Sequence, residues 1–155
     1  MQTRITTRVI IYHHGKILLC RNQGQDFWYP GGGGWQENED LKECCAREVL
    51  EETGQNIKII DLIYVQEFYW QEKGYRSLEL FFLAKPEGKI QNNKYHQDTD
   101  TDERLPVEEN KWFSQNDLKS DKIKIYPKFI KKQFWQDIIK FDKNKKTYWK
   151  SIDKA

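Results

Sequence analysis

The sequence predicts an α/β protein, on three observations. Residues 4–12 (RITTRVIIY) and 77–84 (SLELFFLA) gather β-branched and aromatic residues in short apolar runs, as strands do. Residues 40–54 place helix formers between a capping signal and a glycine. From Tyr126 onward apolar residues recur every three to four positions, which marks a second helix.

Taken in order, residues 4–12 are a strand, His13-His14-Gly15-Lys16 a turn, and residues 17–21 the return strand of a hairpin. Two adjacent histidines can ligate a metal, but at a turn they are more often plain polar residues. Asn22 to Asp26 is a polar loop, and Phe27-Trp28-Tyr29-Pro30 leads into Gly31 to Gly34. Asp40 is the expected N-cap of the next helix, with Glu43 completing a capping box. Ala46, Val49 and Leu50 are the expected packing stripe, and Gly54 the C-terminal cap. Residues 57–67 (IKIIDLIYVQE) read as a strand that residues 68–70 extend. Residues 71–74 make a turn, and residues 77–84 form the next strand. Glu79 lies among apolar neighbours there; the expected place is outward, since an inward carboxylate needs a charge partner.

Residues 86–110 are long, polar and acidic, with Asp98, Asp100, Asp102, Glu103, Glu108 and Glu109. Loops of this length are commonly functional. In the C-terminal helix, with Pro127 at its start, Phe129, Ile130, Phe134, Ile138 and Phe141 form the stripe, widened by Trp135 and Ile139. It packs on the body or on a second subunit. Beyond Asp142 a Lys-rich tail is expected to fray, with Tyr148-Trp149 as a docking point. One domain over residues 1–142 and a tail over 143–155 follow.

The 155 residues suit one domain. Only 37% are apolar, but six Trp, eight Tyr and eight Phe are bulky enough to fill a core. There is no apolar run of about 18 residues and no secretory leader, so a cytoplasmic protein without a membrane span is expected. Cys20, Cys44 and Cys45 lack metal-type spacing and read as free thiols. Net charge is +2, yet residues 119–155 carry twelve Lys against four Asp, and residues 1–118 carry 14 Lys and Arg against 20 Asp and Glu. A basic tail on an acidic body fits an enzyme with an anionic substrate, and equally a solubilising tail.

The chemistry concentrates in residues 30–54, PGGGGWQENEDLKECCAREVLEETG. Glu48, Glu51 and Glu52 stand at i, i+3 and i+4 and so share one helical face. Alone, such a helix is an ordinary solvated face, and its Glu43–Arg47 and Arg47–Glu51 pairs are each worth about 0.3–0.5 kcal/mol. The glycine run changes that reading, because it lets backbone approach a ligand beside the carboxylates. Carboxylates beside phosphate are how Mg²⁺ is usually held.

Gly33, Glu39, Arg47-Glu48, Glu51-Glu52 and Gly54 stand at the spacing of the Nudix box, and the chain resembles that family over most of residues 4–118. Gln55 departs from the box, where an apolar residue is usual, and the glycine run is one residue longer than common. The resemblance implies an α/β/α sandwich with a mixed β-sheet between helices. Residues 111–118 (KWFSQNDL) look like the family's closing strand, turn and short helix. It also implies Mg²⁺-dependent hydrolysis, with Mn²⁺ as the alternative ion, of a pyrophosphate bond in a nucleoside diphosphate linked to another group.

Glu48, Glu51, Glu52 and the Gly32 carbonyl are then the metal ligands. Glu51 or the loop acid Glu103 orients or deprotonates water, Arg47 holds the glutamates in place, and Glu39 supports them in the same way or serves as an outer metal contact. Arg21, Gly33, Trp28 and Arg76 are candidate substrate contacts, with core packing the competing role for Trp28. No proline lies between Ile57 and Lys85, so the downstream proline tied to ADP-ribose hydrolysis in such proteins is missing; a triphosphate or sugar nucleotide is preferred. Two other readings stand beside this one: a nucleotide-sensing module without turnover, and an RNA 5′-end pyrophosphohydrolase using the basic tail. A nucleotide-type small molecule is the expected partner, nucleic acid a lesser one through the Lys-rich C-terminus, and a homodimer an open alternative.

Overall fold

The computed structural model describes residues 2–91, 106–144 and 148–154. A six-stranded mixed sheet runs in the order β6-β2-β1-β5-β4-β8. Its strands are β1 (Gln2–His13), β2 (Lys16–Asn22), β4 (Asn56–Trp70), β5 (Tyr75–Glu87), β6 (Val107–Ser114) and β8 (Tyr148–Lys154), while β3 (Phe27–Trp28) and β7 (Lys124–Ile125) form a separate parallel pair. α1 (Leu41–Thr53) covers one face of the sheet and α2 (Gln133–Asn144) the other.

The strand alternation seen in the sequence sets these two layers. Val9, Ile11, Leu18, Phe82 and Ala84 meet Cys45 and Val49 of α1. Ile10, Ile17, Leu19, Ile63, Tyr64, Phe81 and Phe113 meet Phe134, Trp135, Ile138 and Phe141 of α2. Adjacent residues of one strand thus serve opposite layers. The α/β/α sandwich expected from the resemblance is the observed architecture.

β1 and β2 pair only next to their turn, at Tyr12–Ile17 and His13–Lys16. Further along they part, and the glycine run enters the gap. The Val9 amide donates to Gly31 O at 2.8 Å, the Thr7 amide to Gly33 O at 2.9 Å, and the Trp35 amide to Ile5 O at 3.1 Å. On the other side Tyr29 and Cys20 exchange bonds of 2.8 and 2.9 Å. Buried backbone groups on the parted strands are thereby satisfied.

Several sequence expectations need correction. Ala46 and Leu50 of α1 are exposed, and the packing face is Leu41, Cys45 and Val49, with Cys44 and Thr53 also buried. Cysteine serves there as a small apolar residue, so the stripe runs through the thiols. Glu79 faces inward, 4% exposed, with Arg8 as its partner. The second helix begins at Gln133; Lys128–Lys131, which includes Phe129 and Ile130, is a single 3-10 turn after Pro127. Ile139 is 68% exposed and lies outside the stripe. Glu108 and Glu109 belong to β6 rather than to a loop. The tail expected to fray instead holds β8, paired in parallel with β4 from Tyr64–Tyr148 to Tyr69–Lys154. β4 would otherwise offer an open row of backbone donors and acceptors.

Candidate functional site

α1 carries the acidic stripe, and its ends are fixed as the sequence implied. Asp40 accepts from the Glu43 amide at 2.8 Å, the Glu43 carboxylate accepts from the Asp40 amide at 2.7 Å, and Gly54 closes the helix at φ +71°. With both ends set, Glu48 and Glu52 face the glycine run, and Glu51 reaches Arg47.

The contact is close. A Cβ built on Gly33 would lie 2.3 Å from the Glu48 carboxylate, and one on Gly32 would lie 2.0 Å from Thr7 O. Gly32 also has φ +149°, which disfavours any side chain. Its amide donates to Glu52 Oε1 at 2.8 Å. The second Glu52 oxygen accepts from the Tyr29 hydroxyl at 3.4 Å, and the same hydroxyl bonds Asn22 Oδ1.

Arg47 ties the acids together. Its guanidinium donates to both Glu39 oxygens at 2.9 and 2.8 Å, to Glu48 Oε1 at 2.9 Å, and to the Gly34 carbonyl at 3.3 Å. Glu51 Oε2 lies at 3.5 Å. The bidentate bond from Arg47 outweighs burial and holds the Glu39 carboxyl down at about 2. Its own Glu39 bond likewise keeps Arg47 charged. Glu43, the partner expected from i,i+4 spacing, is taken by the cap.

The thiols line this region, Cys44 with Arg47 Nη2 at 3.8 Å. Burial pushes Cys44 up to about 11 and Cys45 up to about 12. Cys20 is raised well above the ordinary thiol range, first by burial and then by Glu52. All three are free, as expected.

The other candidates fall in different places. Arg21 is bonded to Glu108 Oε2 at 2.7 Å and Glu109 Oε2 at 3.1 Å, and lies over the Trp28 ring at 5.6 Å. Trp28 packs edge-on against Phe113, the core role that competed with substrate contact. Arg76 is exposed near the start of β5, three residues before Glu79. Glu103, with Asp98, Asp100 and Asp102, lies outside the described residues. His13 and His14 stack on each other with centroids 3.8 Å apart. Two polar groups were not singled out by sequence, Arg8 and Gln66. Arg8 could have been found from Glu79, a lone carboxylate in an apolar strand; Gln66 gave no signal.

Among the described residues no three His, Cys, Asp or Glu side chains converge as a ready-made metal cage. The carboxylates are engaged instead by Arg47 and by the Gly32 amide. Their chemistry still suits a hard divalent ion: carboxylate oxygens on one helical face, with glycine backbone packed where a side chain would fill the space.

Comparison with known proteins is consistent with this geometry. A family model described as NUDIX domain matches residues 2–133. The RNA pyrophosphohydrolase of Pasteurella multocida (strain Pm70) is 29% identical over 65 residues, which span 42% of this chain and 33% of that protein. The match thus covers about a third of the length of that curated relative. A solved NUDIX hydrolase from Nitrosomonas europaea superposes with a TM-score of 0.68 at 19% identity, over 94% of this chain and 93% of that one. A UDP-X diphosphatase structure gives a TM-score of 0.67 at 20% identity, over 99% and 68%. These structural likenesses speak to the fold.

Proposed function

The chain belongs to the Nudix family, and from that premise we propose that it is a pyrophosphohydrolase acting on a nucleoside diphosphate linked to another group. The observation that carries the reading is the closure of the glycine run on the acidic stripe. Gly33 leaves room only for the Glu48 carboxylate, and the Gly32 amide is bonded to Glu52.

Glu48, Glu51 and Glu52 would hold Mg²⁺, or Mn²⁺ in its place, together with a glycine carbonyl. Gly31 and Gly33 give their carbonyls to β1, whereas that of Gly32 stays out of this ladder, which favours Gly32 as the donor. When bound, the ion would neutralise phosphate oxygens and acidify the attacking water. Arg47 and Glu39 orient the stripe, so that carboxylates which repel one another stay at fixed positions. Glu51, or Glu103 from the acidic segment, takes the proton of the water as its oxygen attacks phosphorus. The phosphorus–oxygen bond of the diphosphate then breaks and the leaving phosphate carries away the electron pair.

A triphosphate or sugar nucleotide is the preferred substrate class. RNA 5′ ends are the second reading, favoured by the name of the Pasteurella relative and by the basic residues 119–155. Phosphate release from a nucleotide panel with and without Mg²⁺ tests the proposal, with a 5′-triphosphorylated RNA beside it. Turnover should vanish on chelation and in Glu52→Gln. Absence of turnover on every substrate would leave the nucleotide-sensing alternative in its place.

A further inference from the structure

Arg8 is one-fifth exposed and projects from β1 into the corner between the glycine run and β5. Its Nε donates to Glu79 Oε1 at 3.2 Å and its Nη1 to the Gly32 carbonyl at 3.4 Å. Its Cζ lies 5.6 Å from the centre of the Tyr29 ring, whose hydroxyl reaches Glu52. No described residue accepts a bond from Nη2, so a guanidinium with five donors spends only part of them on the protein.

Two further features argue against a purely structural ion pair. A buried ion pair is often replaced by apolar residues at no loss of stability, so stability alone gives weak reason to keep one. In the same row of the sheet, Gln66 stands opposite Glu79, is 1% exposed, and has an amide nitrogen with no partner among the described residues. A second unmet donor thus lies on the far side of Glu79, two strands further from the glycine run than Arg8. Arg21, a candidate substrate contact on sequence grounds, already has two carboxylate partners.

We propose that Arg8 binds a phosphoryl oxygen of the substrate through its remaining N–H groups, beside Gly32 and Glu52, with Glu79 fixing the guanidinium plane. The assignment rests on the pyrophosphohydrolase reading above. Arginine suits the task because its planar fork can donate to a carboxylate, a carbonyl and a phosphate at once, which a lysine cannot do in one geometry.

The probe is inorganic pyrophosphate, titrated calorimetrically in Mg²⁺ buffer into the full chain, the Arg8→Gln variant and the Arg8→Gln/Glu79→Gln double variant. The double variant removes both buried charges and so keeps the fold from carrying an unpaired carboxylate. Loss of a charge-assisted bond should weaken pyrophosphate about tenfold or more in both variants. On any nucleotide that is turned over, KM should rise while kcat changes little, the mark of a contact made equally before and during reaction. Recovery of wild-type affinity in the double variant would overturn the proposal, because Arg8 would then serve only to neutralise Glu79. Failure of the wild-type chain to take up pyrophosphate would overturn it as well. A wild-type chain that binds pyrophosphate yet turns over no nucleotide sinks the activity and leaves the Arg8 contact to be judged by the titration.

Discussion

Glu48 has almost no freedom in this molecule. It is 1% exposed, is bonded by Arg47, and sits where any side chain at position 33 would have to go. Gly33→Ala should therefore displace the carboxylate and lower turnover about a hundredfold, the scale of a 1 Å misplacement. Steady-state rates with circular dichroism as the folding control check this. Glu39 gives a pH prediction. Its carboxyl lies near 2 in the folded chain against an ordinary 4.5, so its pairing stabilises the fold above about 4.5 and is lost as pH falls toward 2. Denaturant midpoints of the wild type and Glu39→Gln should differ most at pH 6, draw together below 4.5 and converge only near pH 2. At this scale the sequence exposed the box residues and the Arg47–Glu51 pair but misread other partners. Spacing along one helix suggested Glu43 for Arg47, whereas Glu39 reaches it from the loop before α1. Glu79 shows the same limit: alternation could not reveal that Arg8, 71 positions away, supplies its counter-charge.

α1 was the most legible element, because its ends are set by local chemistry. Asp40 and Glu43 form the reciprocal cap, and Gly54 takes the left-handed conformation. Asp40→Ala should cost about 1 kcal/mol and Gly54→Ala a similar amount, read from chemical denaturation. Its packing face was less legible, since cysteines at 44 and 45 do not announce themselves as core the way leucine does. Leu50→Lys should leave stability nearly unchanged, at 43% exposure, while Val49→Ala should destabilise by about 1–3 kcal/mol. Gln55 departs from the apolar residue usual after the box because it is a buried anchor. Its amide donates to Asn56 O at 2.8 Å and its carbonyl accepts from the Gln91 amide at 2.9 Å. The second helix misled the sequence reading at its start, where the apolar period continues through a 3-10 turn that periodicity does not distinguish from helix.

Over the whole molecule, the sandwich was legible and the sheet edge was not. A Lys-rich segment reads as solvated, and only its pairing with β4 shows it as a strand. Removing residues 143–155 should thus do more than lower any RNA affinity. It should bare the β4 edge, lower the thermal midpoint and promote self-association, all measurable by scanning calorimetry and light scattering. A truncated chain with unaltered melting would show β8 to be dispensable. Salt dependence of RNA binding by the full chain then addresses the tail's charge separately.

The glycine run replaces sheet partners that β1 lacks where it parts from β2. A glycine loop used as a rung of the ladder cannot swing aside as a flap. The β1 amide protons of Thr7 and Val9, which donate to it, should exchange with solvent as slowly as those of the innermost strands, and any breathing that admits a ligand must come from another part of the molecule.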